Sequence, residues 1–325
     1  MTRRILVSGE TLIDFLPETV GSLECVETFS RRAGGAPANL AVGLARLGED
    51  PWFWTRIGSD PMGDYLAAVL ASNDIPDRFI ERDSTAKTTL AFVSHDESAD
   101  RSFTFYRDGT ADTRLEVGRV SDDALAAVEW VVIGGVALAS EPARTATLDL
   151  ARRAYESGCT VVFDPNARPE LWQGSDMGFD QTIESALQYT DVLKATPDDL
   201  HEAGFDSTDA ETLARTVCGS SDGPHTVLLT LGSKGAMLVS SADAPWGETT
   251  VTHPGYAVDP VDSTGAGDAF LTGFLAARAS GEQSPIELLE FANAVAALTT
   301  TEPGAMTALP ERENVAAFRA EHSPE

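Results

Sequence analysis

The chain opens on a short, unbroken apolar segment, Ile5–Ser8, closed by Gly9, the pattern of a strand covered on both faces. Across residues 37–47 the period changes. Leu40, Ala41, Leu44 and Leu47 fall on one face of a helix, and Gly48 supplies the stop. Residues 52–57 return to strand character, and Asp60-Pro61 reads as an N-cap with proline at the first helical position. Residues 90–93 and 103–106 flank the polar stretch 96–101 as the arms of a hairpin would. With the stretch after Asp14, they predict a small sheet apart from the main one.

From residue 130 the rhythm is strand, helix, strand. Trp130–Gly134 is apolar, a helix is expected over 141–157 behind Ser140 as N-cap, and residues 160–163 are apolar again before Asp164. Residues 208–211 and 284–287 have the form of capping boxes. Residues 226–231 and 236–240 read as strands around the turn at 232–235. This alternation predicts an α/β chain with a central, mostly parallel sheet, helices on both faces, and ligands at the carboxyl ends of the strands.

Charge changes the picture. Asp and Glu number 51 against 23 Lys and Arg, a formal net charge of -28. A field of that sign opposes nucleic acid and anionic membranes as partners. The acids are scattered, and Lys87, Lys194 and Lys234 are the only lysines. Such a surface suits concentrated salt, where self-repulsion is screened, so a halophilic cytoplasm is expected. The N-terminus lacks the form of a signal peptide, and the longest apolar run, residues 130–139, is far short of the roughly 20 needed to span a membrane. A soluble, cytoplasmic protein is the expectation. Cys25, Cys159 and Cys218 have neither the count nor the neighbours of a disulfide framework or zinc site, and are expected as buried thiols.

Two glycine-bearing segments carry the candidate chemistry. The first, Asp262-Ser263-Thr264-Gly265-Ala266-Gly267-Asp268-Ala269-Phe270, follows a strand-like stretch and opens a helix expected over 269–278. Small residues at 265–267 let the backbone approach a ligand, and the free N–H groups of a first helical turn face an anion. Asp268 in that turn sits where a base for a hydroxyl nucleophile belongs in phosphoryl transfer. Spacing alone fits equally a tight helix entry with a first-turn acid matched to the dipole. The second segment is Gly34-Gly35-Ala36-Pro37-Ala38-Asn39, where two glycines and an amide suit hydroxyl recognition or a plain helix-entry loop. Neither forms the Gly-x-Gly-x-x-Gly of a dinucleotide-binding turn, which argues against a dehydrogenase.

Residues 34–39 resemble the first signature of the ribokinase/PfkB family of sugar kinases, and residues 262–270 resemble its second. Residues 9–15, 230–235 and 299–310 resemble ordered segments of the same family, so the resemblance spans nearly the whole chain. It implies one ribokinase-like catalytic domain over residues 1–325, with a lid from roughly residues 15–33 and 88–110. It implies ATP-dependent phosphorylation of a small sugar with Mg²⁺, a monovalent cation such as K⁺, and pairing of two copies through the lid. Asp268 matches the family's catalytic base, and Gly265, Ala266 and Gly267 match its anion hole. Asp14, Gly34, Gly35 and Asn39 match the sugar site. Thr230, Gly232, Gly235 and Asn293 match the nucleotide site, and Asp262 and Thr264 the cation site.

Residues 105–112 and 164–172 are similar to fructokinases, the second string also to 2-keto-3-deoxygluconate kinases, and residues 10–15 tip the resemblance towards fructose. By it, Arg107 would reach the sugar from the lid and Arg168 would sit near the substrate or the transferred phosphate. Lys194, at a strand end in a chain with three lysines, is a candidate phosphate contact. One departure stands out. Asp199 in Thr196-Pro197-Asp198-Asp199 occupies the position of a family glutamate that organises Mg²⁺ through water, yet the same residues also form a sensible helix start. Another sugar or nucleoside kinase of the family, or a sugar sensor without catalysis, are the alternatives.

Overall fold

The computed structural model describes residues 5–19, 21–95, 101–172, 177–220 and 223–322. In chain order the strands are β1 (Ile5–Ser8), β2 (Leu12–Pro17), β3 (Phe29–Gly34), β4 (Trp52–Gly58), β5 (Ile80–Asp83), β6 (Leu90–His95) and β7 (Arg101–Tyr106). They continue with β8 (Trp130–Gly134), β9 (Thr160–Asp164), β10 (Val192–Ala195), β11 (Thr226–Thr230), β12 (Ala236–Ser240) and β13 (Thr249–His253). Nine of them form one sheet in the order β5-β4-β1-β8-β9-β10-β11-β12-β13. Pairing is parallel from β5 to β11 and antiparallel for β12 and β13.

The continuous apolar strands are explained by what covers them. Leu6, Trp54, Val131, Phe163 and Leu193 project into one core, while Ile5, Val7, Phe53, Val132 and Val162 project into the other. Neighbouring residues point to opposite faces, so both must be apolar when helices lie on both sides. Each such side chain contributes about 1.5–3 kcal/mol on full burial. From β1 the order runs outward through β4 and β5, then restarts on the other side at β8. That reversal opens a crevice at the carboxyl ends of β1 and β8, the place where open α/β sheets bind ligands.

The second sheet has the order β3-β2-β6-β7. On one face Phe15 stacks on Phe92 with ring centroids 4.8 Å apart, and Ile13 packs on Ile57 and Leu66. The helix Pro61–Ser72, capped by Asp60 as expected, thereby anchors this sheet. The opposite face presents Asp14, Phe103 and Phe105 to the crevice. Residues 96–100 of the hairpin loop lie outside the described residues.

Several local expectations are corrected. The helix expected from 141 begins at Ala143, because Gly135–Ala139 forms a 3₁₀ turn and Pro142, with its φ already helical, takes the N-cap from Ser140. Asp209, not Thr208, caps the helix Ala210–Cys218, its carboxylate accepting from Thr212 N at 2.8 Å. Ser284 is an N-cap without a side-chain bond; Glu282 instead accepts its N–H. Cys159 and Cys218 are buried, but Cys25 is exposed. The stretch before Asp262 is irregular rather than a strand.

Candidate active site

A cleft of about 450 Å³ lies over the strand ends at the order reversal. The helix Ala266–Ala279 points its first turn into it, three residues earlier than expected from the sequence. Gly265 makes that start possible. It takes a left-handed φ of 76° and leaves no room for a side chain, since a Cβ there would lie 2.6 Å from Ala305 Cβ. Asp268 therefore stands in the first turn beside backbone N–H groups that no helical carbonyl can satisfy.

Asn39 lies on the helix Ala36–Arg46 and donates from Nδ2 to Asp268 Oδ2 at 2.8 Å. Gly35 allows that helix to enter so close, because its φ is 101° and a Cβ would meet Glu10 O at 2.7 Å. At Gly34 a Cβ would overlap Asp14 Oδ2, so glycine clears space for that carboxylate. Both acids are partly buried in the cleft wall. Burial raises Asp268 to about 6, opposed by the Asn39 bond and by Lys194 and Arg168. Burial raises Asp14 to about 7, opposed by Arg168 and reinforced by Asp268. Arg168, whose guanidinium lies 5.7 Å from the Phe103 ring, is thus the positive charge facing both acids.

Lys194, on β10, is buried and pairs with Asp164 Oδ2 at 2.9 Å. Burial opposes its charge, but Asp164, Asp199 and Asp268 together raise its pKa above the ordinary lysine value. A Cβ on Gly267 would lie 2.9 Å from Lys194 Nζ, so glycine there lets the ammonium reach the first turn of the Asp268 helix. The cleft wall next to it is acidic, lined by Asp198, Asp199 and Glu202.

Asp199 realises the capping alternative. It exchanges bonds with Thr196 in a capping box, and its other oxygen accepts Ala167 N at 2.8 Å. Both oxygens are therefore engaged in holding the loop before Arg168 to the helix Pro197–Glu202. Asp262 is a second fastener. Its Oδ1 accepts from Thr264 N and Oγ1 at 2.8 and 2.6 Å, and its Oδ2 accepts from Gly304 N at 2.9 Å.

Other sequence candidates fall elsewhere. Arg107 does not line the cleft: its side chain is 4% exposed and paired with Asp112 Oδ2 at 2.7 Å, behind Glu10. The hairpin strand ends one residue before it, and the chain turns inward there. Thr230, Gly232, Gly235 and Asn293 also lie outside the cleft walls. Thr230 abuts them through Ala195 O, and Gly235 packs against Gly255, beside Asn293. Glu10, Asp164, Asn166, Phe103 and Phe105 join the site without having been singled out. The available signal was an acid at the end of a buried strand, shared by Glu10 and Asp164.

Residues 2–312 match the family model described as pfkB family carbohydrate kinase. A fructokinase of Vibrio alginolyticus is 32% identical over 321 residues, covering 97% of this chain and 98% of that protein. The crystal structure of a fructokinase from Xylella fastidiosa with bound ATP superimposes with a TM-score of 0.88 at 31% identity, covering all of both chains. A fructokinase from Vibrio cholerae in a fructose-, ADP- and calcium-bound form superimposes with a TM-score of 0.84 at 29% identity, covering 98% of this chain and 99% of that one. A double mutant of the latter was solved with fructose, ADP and potassium. The chain belongs to the pfkB family of carbohydrate kinases, and is an ATP-dependent enzyme of that class. Among the described residues no helix is long and apolar enough to cross a membrane.

Proposed function

We propose that the protein transfers the γ-phosphoryl group of ATP directly to fructose, giving fructose 6-phosphate, with Asp268 as base. The carrying observation is the Asn39–Asp268 bond, which fixes a carboxylate in the first turn of a glycine-entered helix inside the cleft. The fructokinase names of the relatives support the sugar.

In this reading Asp14 and Asn39 hold the sugar so that its primary hydroxyl faces Asp268. The carboxylate takes the proton as the oxygen attacks phosphorus. Backbone N–H groups of residues 265–268 meet the charge that grows on the phosphoryl oxygens, and Lys194 and Arg168 add positive charge on either side. The hard oxygen donors Asp198 and Glu202 suit Mg²⁺ held largely through water and nucleotide phosphates, with Asp199 supporting the loop behind them. When bound, that ion neutralises phosphate charge. Asp262, whose carboxylate gathers the Thr264 and Gly304 N–H groups, would with Thr264 hold a potassium ion beside the first turn. The small sheet would act as a lid, and its exposed Tyr106 face as the contact between two copies. The acidic surface fits a salt-rich cytoplasm.

The test is ADP release with fructose, 2-keto-3-deoxygluconate, ribose and nucleosides in high KCl. Fructose should give the highest kcat/KM, and Asp268→Asn should bind sugar yet lose roughly 10²–10⁴-fold in turnover. Preference for the keto acid would move the assignment to that kinase, and no ADP release with any sugar would leave a sensor.

A further inference from the structure

A narrow recess opens off the cleft floor, shared with it at Glu10, Asn166 and Asp268. Its volume is about 20 Å³, room for a single water. The walls are apolar, from Pro37, Leu40, Val132, Ile133 and Leu271, and the polar groups on it are Ser8, Glu10, Asp164, Asn166 and Asp268. Glu10 is 3% exposed and Ser8 is 1% exposed. Among the described residues neither Glu10 Oε2 nor Ser8 Oγ has a hydrogen-bond partner. Buried polar atoms without partners are costly and mark a place for a bridging water.

We propose that Glu10 receives the proton Asp268 takes from the sugar, through one water seated in this recess and held by Ser8. This rests on the reading of Asp268 as base. As the sugar oxygen bonds to the γ-phosphorus, the bond from phosphorus to the bridging oxygen of ADP breaks and the hydroxyl proton passes to Asp268. The water takes that proton while giving one of its own to Glu10, leaving Asp268 ionised and Glu10 neutral. The proton returns to solvent through the cleft, which Glu10 also lines, once the product has gone.

The electrostatics support the transfer. Glu10 is raised to about 7 by burial, opposed by Arg107 and reinforced by Asp112 and Asp268. Asp268 is raised to about 6 by the same cause, so the two carboxyls have similar proton affinity and a proton can pass between them. Arg107 faces Glu10 from the segment after β7, locked by Asp112, and its Nη2 has no partner among the described residues. That fixed cation keeps Glu10 able to ionise at neutral pH.

Single-turnover rates separate this step from binding and product release. Glu10→Gln should lower the rate about tenfold with sugar KM changed less than about twofold. The acid limb of its pH profile should move to lower pH, because Glu10, raised to about 7, no longer has to be ionised to accept the proton. The wild-type proton inventory should be bowed and that of Glu10→Gln linear. Should Glu10→Gln fail to fold, Ser8→Ala decides: a slowed rate with the acid limb unmoved supports the relay. Wild-type rates in both variants overturn it, as does a raised sugar KM at unchanged rate, which would make Glu10 a sugar ligand. A wild-type enzyme that transfers no phosphoryl group, or an Asp268→Asn variant that turns over normally, instead sinks the reading of Asp268 on which the relay rests.

Discussion

Asp268 keeps its proton to about pH 6 because burial outweighs the Asn39 bond and the nearby cations. A base must be ionised, so kcat/KM should fall as pH drops through about 6, and a profile flat to pH 5 would contradict the assignment. The same shift has a stability cost of opposite sense. The folded-state value lies above the unfolded one, so this contribution to stability is present at low pH and lost as pH rises through about 6. Asp268→Asn should accordingly raise the free energy of unfolding at pH 8 and not at pH 4, by on the order of 1 kcal/mol and with a higher Tm at pH 8 only, while turnover is lost. Gly267→Ala probes the neighbouring contact. Its Cβ would crowd Lys194 Nζ, the free end of a flexible side chain, so the fold should survive with the ammonium displaced. Kinetics should show a roughly tenfold to hundredfold loss of kcat with little change in Tm. Asp268, Asn39 and the glycines were legible because backbone freedom leaves a mark in sequence. Arg107 was not, since whether an arginine after a strand reaches out or turns in depends on Asp112, which no spacing rule pairs with it.

At the level of elements, the loop carrying Arg168 is tied by carboxylates on two sides. Asp164 Oδ1 accepts Asn166 N at 3.0 Å and Asp199 Oδ1 accepts Ala167 N at 2.8 Å. Asp199→Ala removes a helix cap and a loop tether together, so urea unfolding should show about 2 kcal/mol of destabilisation. It should also raise KM for both substrates; a loss confined to magnesium dependence would instead restore Asp199 to the metal. Helix and strand positions were readable from their periods, and Asp60 and Thr196 were readable as caps. Thr208 misled because Asp209 reaches the helical N–H of Thr212 instead, and Ser284 is the N-cap without its expected side-chain bond, its own N–H being taken by Glu282. Capping patterns name candidates within a residue or two and do not choose between them.

For the molecule as a whole, a net charge of -28 is long-range repulsion that the fold must overcome. Raising KCl from about 0.1 M to about 1 M contracts the Debye length from about 10 Å to about 3 Å. Thermal unfolding should therefore shift upward across that range, and a midpoint that falls would remove the proposed adaptation to salt. The parallel sheet and the signature segments were legible in sequence. The recess beneath the cleft was not, because it exists only where β1, β8 and two distant helices meet. The Asn39–Asp268 bond joins residues 229 apart in the chain. A ribosome must therefore synthesise more than four-fifths of the polypeptide before that bond can form. Chains stopped short of residue 268 would therefore lack the proposed base, however well the sugar wall had formed.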